Sequence, residues 1–180
     1  NLLYAQAIKG VATGRGIGII DTVHLIEVAK AIQAIENSNA LSKTDLSAIK
    51  LWFSNYLKWI TTHEYGIAER DNGNNHSVCW TMQVAAFAEL IGDNTTMDFC
   101  RNFYKNTLLP NQMANDGSFP LELKRTKPYG YSLFNLDAMA SICQILSTKQ
   151  DNLFTYTTKD GRNLALGLQF MEPFIANKSI

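Results

Sequence analysis

An amide, an imidazole, a guanidinium and two phenols are concentrated in two short stretches of this chain. The first is Gly73-Asn74-Asn75-His76-Ser77-Val78-Cys79-Trp80, and the second is Lys124-Arg125-Thr126-Lys127-Pro128-Tyr129-Gly130-Tyr131. Such groups together can hold a carboxylate and move a proton beside it. A lone histidine would support far less.

Asn75 and His76 lie between a glycine-bearing loop and an apolar segment. There they can project from a helix N-terminus, where backbone N–H groups and the helix dipole favour an anion. The plainer alternative is that Asn74 or Asn75 caps the helix and His76 packs on its first turn. Arg125 is suited to a bidentate grip on a carboxylate because its charge is permanent. Its plainer alternative is a solvated basic loop with an aromatic anchor.

Other chemistries find less support. His24 and His63 read as structural histidines, and no HExxH, HxxxH or CxxC spacing marks a metal site, so no metal or organic cofactor is expected. Gly14-Arg15-Gly16-Ile17-Gly18 resembles a phosphate loop only in glycine content, although Arg15 is available to an anionic ligand. No serine elbow is present. Asp116, Glu122 and Asp137 are available acids, but nothing singles out two of them as a glycosidase pair.

Helices must position these groups. Asp21 or Thr22 can cap a first helix carrying Val23, Ile26, Val28, Ala29, Ile32 and Ile35, and Ser42 and Asp45 open a second that runs through Ile60. Ser77 to Ile91 is apolar nearly all round and stops at Gly92. A cap at Asp93–Thr96 starts another helix, which Pro110 is expected to end. Asn111 to Tyr131, with Asn115-Asp116-Gly117-Ser118 and two further prolines, reads as a long ordered loop. Helices then resume over about 133–146 and 163–175. No strand pattern of useful length appears, so the class is all-α, with roughly six or seven helices as a solenoid or toroid.

At 180 residues, 46% of them hydrophobic, the chain fits one domain with a sizeable core. Sixteen basic residues balance sixteen acidic ones, so no global field draws it to nucleic acid or an anionic membrane. Cys79, Cys100 and Cys143 fall in apolar helical patterns and read as buried thiols. No apolar run reaches the roughly 20 residues of a membrane helix, and no export signal is visible. The start at Asn1 suggests processing, trimming or an incomplete N-terminal side.

Three blocks carry a family resemblance: Asn74-Asn75-His76; Asp116-Gly117-Ser118-Phe119-Pro120-Leu121-Glu122-Leu123-Lys124-Arg125-Thr126; and Tyr131-Ser132-Leu133-Phe134-Asn135-Leu136. In this order and spacing they resemble the alginate lyase superfamily of polysaccharide lyases. The resemblance implies an incomplete (α/α) toroid of antiparallel helical hairpins that cleaves alginate or a related polyuronate by β-elimination after export to the periplasm or beyond. It implies one all-α domain over 1–180, corresponding to the C-terminal portion of a full toroid. The remainder would lie on another chain or have been removed, unless this is a reduced domain.

Carried onto this sequence, the resemblance assigns Asn75, His76 and Arg125 to the substrate carboxylate and Tyr131 to proton transfer, with Tyr129 as the fallback. Arg15, Trp80, Lys124, Lys127 and Tyr129 are expected to contact the anionic polysaccharide. The C5 proton of a uronate is a poor acid while the adjacent carboxylate is ionised, so neutralising that charge makes abstraction possible. A phenol titrates near 10 when free and needs a nearby cation to act as base at neutral pH. Tyr131 would serve as base and then acid on one face, and His76 as base when the proton lies on the other. The alternatives are a noncatalytic helical carbohydrate-binding module and a toroid glycoside hydrolase. Which uronate polymer is cut, and whether attack is endo or exo, is left open by the sequence.

Overall fold

A computed structural model describes residues 6–177. A 3-10 turn, Gly16–Thr22, leads into α1 (Leu25–Ile35), followed by α2 (Lys43–Thr62), α3 (Glu64–Arg70), α4 (Asn75–Ile91) and α5 (Asn94–Phe103). A π turn, Tyr104–Leu108, joins α5 to α6 (Leu109–Gln112); α7 (Pro120–Leu123), α8 (Pro128–Leu146) and α9 (Leu164–Ala176) follow. Beyond helices, the described residues show only an isolated bridge between Ile8 and Ala12.

α4 is the centre of the fold. Its sequence is apolar on every face, and α1, α2, α3, α5 and α8 pack around it, leaving fourteen of its residues buried. Such a helix is stable only when surrounded, because a one-sided partner would leave an apolar face in water. Two of its polar groups find partners away from the helix start: Thr81 Oγ1 donates to the Ser77 carbonyl at 2.8 Å, and Glu89 pairs with Lys30 of α1. Phe87 meets Phe53 of α2 with ring centroids 5.1 Å apart. No helix among the described residues is long and apolar enough to cross a membrane.

Several helix starts follow the capping residues read from the sequence. Ser42 accepts the Asp45 N–H at 3.0 Å, and Asp93 accepts that of Thr96 at 3.0 Å. Gly92 ends α4. The three cysteines are buried and free.

Four expectations need correction. The first helical stretch begins as a 3-10 turn, and α1 itself starts only at Leu25. Pro110 does not end the helix after α5. The chain widens into the π turn, closed by the Leu109 N–H on the Tyr104 carbonyl, and Pro110 then sits in the first turn of α6, where a missing N–H costs nothing. The segment expected to be a loop to Tyr131 contains α7, and α8 starts at Pro128. Tyr129 and Tyr131 therefore stand on the first turn of a long helix.

The fourth is α3, absent from the periodicity. It doubles back on the end of α2 through His63, whose N–H bonds the Trp59 carbonyl while its Nδ1 accepts the Tyr65 N–H. The turn is so close that a Cβ on Gly66 would lie 1.9 Å from the Ile60 carbonyl oxygen. Only glycine fits there. This approach places Glu69, at the other end of α3, beneath the start of α4.

Candidate active site

The N-terminus of α4 is held by two buried carboxylates and one asparagine. Asn74 caps the helix, its Oδ1 accepting the His76 N–H at 2.9 Å and its carbonyl accepting the Ser77 N–H at 3.0 Å. The Asn75 N–H donates to Glu122 Oε1 of α7 at 2.7 Å. Glu69 Oε1 of α3 lies 2.7 Å from Nδ1 of His76. The three leading N–H groups are thus already taken, so the backbone seat for a substrate anion expected at this helix end is occupied by the protein's own oxygens. A carboxylate ligand must be held by side chains instead.

Glu122 links the two sequence stretches. One oxygen bonds Asn75, and the other lies 4.0 Å from Nη1 of Arg125. Arg125 in turn sits over the Tyr131 ring, its Cζ 4.0 Å from the centroid, a cation–π stack that fixes the guanidinium plane. Asn75 is buried, and His76, Arg125 and Tyr131 are half-buried. Burial pushes the Glu122 carboxyl above its ordinary range, against the opposing pull of the Asn75 N–H, Arg125 and His76.

Gln112 and Asn135 close the site from behind. Gln112 Nε2 donates to the Asn74 carbonyl at 2.9 Å and its Oε1 accepts from Asn135 Nδ2 at 3.2 Å. Asn75 Oδ1, Glu122 Oε2, Ser132 Oγ and Asn135 Oδ1 are buried with no hydrogen-bond partner among the described residues. Unmet polar atoms in a core are costly and uncommon. They form a polar seam between α4, α7 and α8.

The structure thus joins Asn75, His76, Arg125 and Tyr131 through Glu69 and Glu122. Tyr129 is half-buried two residues before Tyr131, while Lys124 and Lys127 are exposed around Arg125. Arg15 is exposed, and its Nε donates to Gln6 Oε1 at 2.6 Å. Trp80 is a correction. It is 1% exposed, and its indole N–H is spent on the Ile60 carbonyl at 3.1 Å; one turn into α4, it faces the core.

Sequence reasoning passed over Glu69, Gln112 and Asn135 as site members and left Glu122 as one acid among three. A buried glutamate looks like any other in a single sequence. The available signal was Glu122 lying three residues before Arg125, between apolar Leu121 and Leu123. Cys79, three residues after His76, is no nucleophile here, since burial above all, with Glu69 and Glu122 nearby, pushes its thiol up to about 12.

Comparison with known proteins gives this arrangement a family. The family model described as alginate lyase matches residues 1–180. The chain belongs to the alginate lyase family. It is similar to a crystal structure of an alginate lyase from Bacteroides ovatus, with a TM-score of 0.89 and 32% sequence identity. That match covers 98% of this chain and 47% of the other, so the chain spans about half the length of its structural relative. Comparison with curated proteins yields no match. The all-helical architecture is accordingly that of an incomplete (α/α) toroid of the alginate lyase type.

Proposed function

We propose that this alginate lyase family chain acts as a polysaccharide lyase on alginate or a related polyuronate, in the periplasm or outside the cell. The observation that carries this reading is the linkage through Glu122. A single buried carboxylate holds the α4 N-terminus at Asn75 and approaches Arg125, which stacks on Tyr131. Groups suited to bind a carboxylate thereby stand beside groups suited to transfer a proton.

In this reading Arg125 and the Asn75 amide receive the uronate carboxylate and stabilise the enolate-like charge that develops when C5 loses its proton. The proton passes to Tyr131 or His76, according to the face on which it lies. Its electron pair forms the C4–C5 double bond, the C4–O bond breaks, and the leaving oxygen takes a proton from the Tyr131 hydroxyl. Lys124, Lys127, Tyr129 and Arg15 would line the path of the anionic chain. The rest of a toroid, on another chain or a further part of the same one, would supply additional contacts.

The test is to incubate the full chain with poly-mannuronate, poly-guluronate and polyglucuronate and follow the ultraviolet absorbance of unsaturated uronate ends. A rise in absorbance that is lost in His76→Ala or Tyr131→Phe supports the reading. Saturated reducing ends would instead indicate a glycoside hydrolase, and binding without products a carbohydrate-binding module. Either outcome overturns the proposal.

A further inference from the structure

His76 is tethered from beneath. Its Nδ1 lies 2.7 Å from Oε1 of Glu69, whose side chain has no solvent exposure, whereas the imidazole keeps 14%. The second Glu69 oxygen has no hydrogen-bond partner among the described residues, and none is made by Nε2 of His76. A fully buried carboxylate with one partner is costly to the fold. Its place against one ring nitrogen calls for a reason beyond packing.

We propose that Glu69 is a positioning residue that holds neutral His76 in the Nδ1–H tautomer, so that the Nε2 lone pair is presented to the substrate. The inference rests on the elimination reading and divides the two tasks that reading leaves to the imidazole. A neutral ring whose only N–H is committed to Glu69 has no donor left for the uronate carboxylate. Neutral His76 is therefore an acceptor, suited to take the C5 proton on Nε2, and carboxylate neutralisation falls to Arg125 and the Asn75 amide. When Nε2 takes the proton, the pair of electrons from the C5–H bond goes into the C4–C5 double bond, C4–O breaks, and the leaving oxygen is protonated by Tyr131. The resulting imidazolium is stabilised by the Glu69 charge, which is how a base oriented by a third group gains strength.

The tautomer can be read without any substrate. The chain has three histidines, His24, His63 and His76, so a long-range proton–nitrogen correlation spectrum of the nitrogen-15-labelled full chain contains few ring signals, and His76→Gln assigns those of His76. With the ring neutral, His76 should show a protonated Nδ1 and a bare Nε2. The opposite tautomer in the wild-type chain overturns the proposal.

The kinetic arm uses Glu69→Gln, which keeps the side-chain shape and removes the charge. On the polyuronate whose C5 proton faces His76, kcat should fall on the order of tenfold or more while KM changes by less than about threefold. Wild-type kcat in this variant also overturns it. If the wild-type chain eliminates no polyuronate at all, the elimination reading fails by itself, and the nitrogen spectrum still decides the role of Glu69.

Discussion

The guanidinium of Arg125 stacks on the Tyr131 ring at 4.0 Å, so the proposed carboxylate-binding group and the proposed proton-transferring group form one unit at the start of α8. Tyr131→Phe keeps the ring under Arg125 and removes only the hydroxyl. It should leave the thermal unfolding midpoint nearly unchanged and abolish unsaturated product. Full activity in this variant would remove Tyr131 from the reaction. Arg125→Lys gives up both the planar fork and the stack, and should lower kcat/KM by about tenfold or more.

Glu122 sets a pH-dependent term in stability. Burial raises its folded-state value above the ordinary 4.5, so the folded chain holds this proton more tightly than the unfolded chain does. The stabilisation is complete below 4.5 and is lost as pH rises through the raised value. Glu122→Gln, which never ionises, should gain stability relative to wild type as pH is taken from about 4 to about 7. Urea unfolding at the two pH values measures this, and a difference moving the other way would show that the attraction of Arg125 and the Asn75 N–H outweighs burial.

Gly66→Ala should be among the most damaging single-methyl changes in the chain. The new Cβ would meet backbone, the Ile60 carbonyl, at 1.9 Å, which no side-chain rotation relieves. A loss of more than about 2 kcal/mol is expected. Because α3 must shift, the Glu69–His76 bond should be disturbed too, and thermal melts with the His76 ring signals read both effects.

Trp80→Phe tests whether that side chain serves the core alone. Losing the indole N–H leaves the buried Ile60 carbonyl without that donor, and the smaller ring leaves a void, for a cost of about 1–3 kcal/mol. KM for a polyuronate should not change. A raised KM at unchanged stability would return Trp80 to the substrate path.

What the sequence made legible was decided by length and exposure. α4 could be read because Ser77 to Ile91 is apolar nearly all round, interrupted chiefly by Thr81, Gln83 and Glu89, and Ser42, Asp93 and Gly92 announced helix ends through chemistry that acts within a turn. Asn75, His76, Arg125 and Tyr131 stand out by residue type and family resemblance, neither of which depends on their surroundings. α3 was not readable, since seven residues give fewer than two full turns of periodicity. Glu69 was missed with it, because burial of an acid is a tertiary property with no local mark. Trp80 was misjudged for the converse reason: in the sequence it adjoins the site, whereas the helix turns it into the core. Pro110 misled because a proline inside a helix and one in a first turn look alike until the preceding carbonyls are placed.

The π turn at Tyr104–Leu108 has a further consequence. It holds one residue more than an α-helical turn would, and the chain emerges from it with Gln112 bridging Asn74 and Asn135. Removing a single residue there would turn Gln112 by about 100° about the helix axis relative to α4 and carry its amide away from the Asn74 carbonyl. Segment length between α5 and α6 is therefore as much a component of the site as any side chain in it, and a deletion several residues from Gln112 would break its bridge between Asn74 and Asn135 without altering any of those three residues.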